Sequence, residues 1–330
     1  MSEVSPSPAP RAPASRPRGP AAGVLVGRKL RALDAELATA LPRVLATSDE
    51  EAIHDLRVAI RRLRTLLKLA RPIYGRFYAD AVRAAFTVVH RSTGALRDEE
   101  VLDETLEALP CTSSAFLAWK ERRRARERSL RRSVLRRLER GDLTRARRLL
   151  GALLTLPVRP NRDRPATKLA RRSIDGARRG VERLRDTPIE DGVRLHELRI
   201  AFKELRYAAE LLADALPSDL AAMAEPASRF QKRLGEIHDA DMAMLALRRA
   251  RGLDPASRAE VLAALTALRA KRTAKYLAEM SPGAATPEGA VLPTPSGPGP
   301  ISMARARGPK AARPRVTTSG SSRSERSRAS

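Results

Sequence analysis

The chain is 330 residues long, room for one large domain or two modest ones, and its 64 Lys and Arg against 38 Asp and Glu leave a net charge of +26. One cysteine, Cys111, excludes an internal disulfide and a Cys-rich zinc site, and no stretch approaches the ~20 apolar residues of a membrane helix. A charge this large repels itself, so a standing anionic partner is the simplest physical reason to carry it, and arginine's planar fork of donors suits phosphate oxygens.

Residues 1–22 are rich in Pro, Ala, Ser and Arg without the apolar core of a secretory signal, and read as a disordered segment of a soluble, cytoplasmic protein. From there apolar residues recur at three- and four-residue intervals, which predicts helices over 24–45, 49–70, 74–93, 115–140, 145–156 and 165–185. The same spacing predicts helices over 193–215, 220–237, 241–250 and 258–279. No alternating run of β-branched residues interrupts them. Pro72, Gly141 and Pro157 with Pro160 mark stops, while Ser48 with Glu51 and Thr187 with Glu190 have the spacing of capping boxes, Pro188 taking a first helical position. Residues 282–330 form a basic Pro/Ser-rich tail expected to be disordered. The two ends carry only +2 and +6 of the charge, so most of it belongs to an all-α domain over 23–281.

An internal repeat organises that domain. His54-Asp-Leu-Arg-Val-Ala-Ile-Arg-Arg-Leu-Arg64 returns as His196-Glu-Leu-Arg-Ile-Ala-Phe-Lys-Glu-Leu-Arg206, displaced by 142 residues. Gly94-Ala-Leu-Arg-Asp-Glu-Glu-Val-Leu102 returns as Gly235-Glu-Ile-His-Asp-Ala-Asp-Met-Ala243, displaced by 141. Two shifts of nearly equal size indicate a duplicated unit, over about 24–140 and 165–280, and predict two pseudo-symmetric antiparallel helical bundles. Residues three and four apart share a helix face, so His54, Arg57, Arg61, Arg64 and Lys68 form one cationic stripe and His196, Arg199, Lys203 and Arg206 a second. Leu56, Ile60, Leu63 and Leu67 make the apolar seam beside the first, and Leu198, Phe202, Leu205 and Leu212 the seam beside the second. Each seam buries its helix and leaves its stripe at the margin of the core, where paired rows of cations would favour a threaded polyanion.

The two His-initiated motifs, with Leu234-Gly-Glu-Ile-His-Asp-Ala-Asp241, resemble the CHAD family, the conserved histidine α-helical domain, over about 24–280. The resemblance implies two helical bundles around a basic central groove or pore, binding of inorganic polyphosphate, and recruitment to polyphosphate granules and their proteins. Carried over residue by residue, the anion-facing positions are His54, Arg57, Arg61, Arg64, His196, Arg199, Lys203, Arg206 and His238, and Lys68 extends the first stripe. Arg97 stands where the second copy has His238, so that histidine has no counterpart, while His90 lies outside the repeated motif and reads as structural. Family members are often joined to a CYTH triphosphatase domain, whose Glu-x-Glu-x-Lys signature is absent here, so a non-catalytic protein with no cofactor is expected.

Three other readings compete. A basic helical protein that binds nucleic acid is the main alternative, since phosphate attraction is blind to what carries the phosphates, and the tails would bind DNA or RNA weakly. Aromatics that stack on bases make up only 3% of the chain, however, and no nucleic-acid-binding signature is present. Glu51-x-x-His54 fits half of a di-iron motif, but Val193 replaces the acid in the second copy, so no metal is expected. Phosphoryl transfer lacks a Gly-rich phosphate loop. Asp98, Asp239 and Asp241 read as helix N-caps or as orienting partners of nearby cations, and 119–140, with eleven basic residues against three acids, reads as a second docking surface or a solvated helix.

Overall fold

A computed structural model describes residues 20–46, 51–158 and 164–280, and among these it is built of α-helices. In chain order they are α1 (Ala22–Leu45), α2 (Ala52–Tyr74), α3 (Arg76–Ser92), α4 (Gly94–Glu107), α5 (Ser114–Glu139) and α6 (Asp142–Thr155). They continue with α7 (Ala166–Glu182), α8 (Gly192–Leu211), a 3-10 turn at Ala213–Ala215, α9 (Ser218–Ala222), α10 (Ala224–Arg248) and α11 (Pro255–Met280). An isolated antiparallel bridge between Ala21 and Pro165 ties the start of α7 to the start of α1. There Ala22 N–H donates to the Arg164 carbonyl at 2.8 Å and Ala166 N–H to the Pro20 carbonyl at 2.9 Å.

The seams pack as their spacing requires. Leu56, Ile60, Leu63 and Leu67 of α2 are each fully buried against α1 and α3, and each contributes roughly 2 kcal/mol by leaving water. Their cluster takes in Leu30 and Leu37 of α1, Phe86 of α3, Leu150 of α6, and Tyr207 and Leu211 of α8. On α8, Phe202 meets Phe230 of α10 with ring centroids 5.2 Å apart. A separate cluster joins α4, α5, α10 and α11 through Leu106, Phe116, Trp119, Leu247 and Val261, and it holds Cys111.

Several local expectations are corrected. Residues 220–250 do not form two helices broken near 238: α10 runs unbroken through Gly235, His238, Asp239 and Asp241, so neither aspartate is a cap. Asp98 lies in the second turn of α4, whose N-cap is Thr93, and it caps nothing either. Pro72 does not stop α2. It sits in the last turn, and the helix ends three residues later at Gly75, whose φ of 99° belongs to glycine's territory. The expected Thr187 box is absent, because α8 starts at Gly192 and Asp191 is its cap, accepting from Arg194 N–H at 3.0 Å. Ser48 and the 282–330 tail fall outside the described residues. Gly141 does end α5 with φ 84°, its N–H donating to the Leu138 carbonyl at 2.9 Å.

Candidate functional site

Because the α2 seam is buried, the stripe beside it is held at the core margin. Arg57 is itself buried, at 7% exposure, and its guanidinium donates to Thr93 Oγ1 and to the His90 carbonyl, 3.4 Å away. One turn on, Arg61 and Arg64 are half-buried, and Arg64 Nε donates to Thr87 Oγ1 at 3.0 Å. Beyond them opens a cavity of about 1100 Å³ between α2, α3, α7 and α8. Arg61, Arg64, Lys68, Arg71, Arg83 and Lys203 line it from α2, α3 and α8. Arg164, Lys168 and Arg172 line it from the α7 side, and Glu204 is the one acid among the described residues of its wall.

Arg61 is the hub of this cluster. Burial, Arg61, Arg199 and Arg64 together bring the Lys203 amine down from 10.5 to about 8, against an opposing pull from Glu204. Burial, then Arg61 and Arg97, lowers Arg57 to about 10 despite Asp98 and Glu100. Arg64 is lowered by burial and by Arg83, Arg91 and Arg61, and Arg199 by burial and Arg61, with Asp239 opposing. Arg57, Arg61, Arg64, Arg83, Arg199 and Lys203 make no ion pair among the described residues. For Arg57, Arg64, Arg199 and Lys203 alike, burial lowers the value first, and neighbouring cations lower it further.

Three histidines are coupled electrostatically to this cluster. His90 of α3 is brought down to about 3 by burial and by Arg57, Arg64, Arg61 and Lys203. The His196 and His238 rings lie 4.9 Å apart, and both imidazoles are lowered, mainly by burial, with Arg199 acting on each. A Cβ on Gly235 would stand 3.4 Å from Arg199 Nε, so the glycine lets the guanidinium run close against α10. His90 Nε2, His196 Nδ1 and Arg199 Nε are buried with no hydrogen-bond partner in the protein.

The sequence-derived residues are therefore placed unequally. Arg61, Arg64, Lys68 and Lys203 line the cavity, though Lys68 is held by Glu204 at 3.2 Å. Arg57, Arg199, His196 and His238 do not line it, and charge contacts join Arg57 and Arg199 to Arg61, and the two histidines to Arg199. Arg206 is paired with Glu210 at 2.6 Å, and half-buried His54 does not line the cavity. Sequence reasoning set His90 aside as structural and missed Arg83 and the α7 cations. For α7 a signal was available: Arg164, Lys168 and Arg172 are four residues apart and share a face. The basic run 119–140 proves different in kind, for Arg123 and Arg126 reach Glu99 at 2.7 and 2.8 Å and Lys120 reaches Glu107 at 2.8 Å. No group of three or more His, Cys, Asp and Glu among the described residues is placed to hold a metal ion, and no helix there is long and apolar enough to cross a membrane.

Fold and site together define a basic all-α domain with a cation-lined cavity between α2, α3, α7 and α8. Residues 28–248 match the CHAD domain model, and the chain belongs to the CHAD family. Its fold is similar to the crystal structure of the CHAD domain from the plant Ricinus communis, at 22% identity over 79% of this chain and 88% of that one, with a TM-score of 0.61. It is also similar to PptA from Streptomyces chartreusis, at 18% identity over 78% of this chain and 96% of that one, with a TM-score of 0.58. At such identities the likeness is one of fold. Among curated proteins no match is found.

Proposed function

We propose that this protein binds inorganic polyphosphate in the cleft between α2, α3, α7 and α8, without turning it over, and that this binding attaches it to polyphosphate granules in the cytoplasm. The observation that carries the reading is the cluster around Arg61, where five neighbouring groups feel its positive charge and Glu204 is the only acid among the described residues of the cavity wall. Cations held this close cost stability in the free protein and gain it back when an anion enters. From Arg61 to Arg71 the α2 wall rises about 15 Å, longer than one phosphate and suited to a chain of them.

In this mechanism polyphosphate sheds its counterions as it enters. Arg61, Arg64 and Lys203 meet its oxygens first, by forked and charge-assisted hydrogen bonds. Arg57 and Arg199 add field from behind, and His90 and His196 sit within that buried layer of charge and do not touch the chain. His238 supports His196, while Lys68 and Arg206 contribute once they exchange Glu204 and Glu210 for phosphate. His54 is the member of the set farthest from this geometry in function, a flank of Arg57 on α2. Among the described residues the wall carries one aromatic, Tyr207, which is buried at 3% exposure and presents no ring on which a base could stack.

The test is competition on the full chain between long-chain polyphosphate and duplex DNA matched in phosphate, at physiological and raised salt. Polyphosphate should win, and its advantage should disappear in an Arg61→Gln/Lys203→Gln variant that keeps its helical circular dichroism. Equal binding of the two polymers, unmoved by that variant, would assign the charge to nucleic acid and to surfaces outside the cleft.

A further inference from the structure

Helix α7 carries more cation than a cleft wall needs. Its buried seam is narrow and mostly alanine (Ala166, Ala170, Ile174, Ala177 and Val181), and it seats α7 closely on α8, where a Cβ on Gly180 would meet Ala201 Cβ at 3.8 Å. Lys168, Arg171, Arg172 and Arg179 on the remaining surface are exposed. Among the described residues the one ion pair of α7 joins Arg178 to Glu182 at 3.8 Å, leaving these four cations without acid partners. A second hollow, of about 490 Å³, lies on this outer side and is lined by Thr167, Arg171, Asp175 and Arg179. Lys168 and Arg172 line both this hollow and the cleft.

We propose that α7 is a saddle over which a long polyanion leaves the cleft, passing between Lys168 and Arg172 to lie along Arg171 and Arg179. This rests on the cleft being a polyphosphate site and adds a function to it: selection of long chains over short ones. A short chain fills the cleft and ends there. A long chain reaches the second hollow, where the added contacts act at the high local concentration set by the first. The rim is held in place by the pairing of residues 20–22 with 164–166, which fixes the α7 start beside α1. Asp175, placed four residues from both Arg171 and Arg179, opposes the anion and sets a limit on its hold.

The experiment compares tripolyphosphate with long-chain polyphosphate by titration calorimetry on the full chain and three variants. Arg171→Gln/Arg179→Gln should weaken the long chain roughly tenfold and leave tripolyphosphate unchanged. Asp175→Asn should strengthen the long chain alone by about twofold to threefold. Arg61→Gln/Lys203→Gln should weaken both ligands. An Arg171→Gln/Arg179→Gln protein that loses affinity for both ligands equally, or for neither, overturns the saddle while a responsive cleft variant leaves the polyphosphate reading standing. A cleft variant that changes neither ligand overturns the reading and the saddle together.

Discussion

Helix α5 and the cleft are both arginine-rich, and they use arginine in opposite ways. Of the eleven basic residues in 119–140, seven are answered by carboxylates: Lys120, Arg123, Arg124, Arg126, Arg128, Arg131 and Arg137. Most of those acids come from α4, where Asp98, Glu99, Glu100, Asp103, Glu104 and Glu107 form a complementary run. Buried Glu99, at 7% exposure, takes two arginines at once. In the cleft the ratio is inverted, with Arg61, Arg64, Arg83 and Lys203 on a wall whose described residues include a single glutamate. Net charge alone does not separate the two regions, and the pairing does: most α5 cations have a carboxylate partner, whereas the cations around Arg61 do not.

The largest effect that would break this contrast is on binding. Arg61→Glu with Lys203→Glu should lower polyphosphate affinity by a hundredfold or about 3 kcal/mol, while Arg128→Glu with Arg132→Glu on α5 should change it less than about twofold. Equal losses from the two double variants, measured by calorimetry at one salt concentration, would erase the distinction. Stability should respond the other way round. Glu99→Ala strips the acid from Arg123 and Arg126 and should cost about 3 kcal/mol in urea unfolding with binding unaltered.

Smaller effects come from protons. Lys203 holds its proton only to about pH 8 in the free fold, and a bound anion raises that value, so binding takes up a proton. Polyphosphate affinity should therefore fall severalfold between pH 7 and 9.5, and Lys203→Arg should flatten the fall, a guanidinium remaining charged throughout. His90 acts on stability at the other end. Its folded value of about 3 lies below its ordinary 6.5, so across that window the unfolded chain holds the extra proton and the fold loses stability as pH drops. Saturating polyphosphate should reduce that acid sensitivity, which a thermal melt series with and without ligand would show.

Much of this was legible in the sequence, and the misses have definite causes. Apolar spacing located the long helices, and the seam at Leu56, Ile60, Leu63 and Leu67 placed the α2 stripe at the core margin. The break expected between 237 and 241 is absent because α10 continues through it, and Gly235 within α10 serves the close approach of Arg199, a tertiary fact no local pattern carries. His90 escaped because the repeat was the filter, and it reaches the cluster from α3, outside both copies of the motif. The pairing of the α5 cations depends on α4 lying beside α5, and that appears only once the helices are packed.

The central claim is that the cleft cations are kept at a cost to the free fold for the sake of an anion. Arg61→Gln tests it in one melting experiment, run with and without long-chain polyphosphate. Removal of the hub charge should raise the unfolding midpoint of the free protein by a few degrees, or about 1 kcal/mol, and should shrink the further rise that polyphosphate produces. A midpoint that falls without ligand, with the polyphosphate-induced rise intact, would mean that Arg61 is an ordinary structural residue and that the anion is held elsewhere.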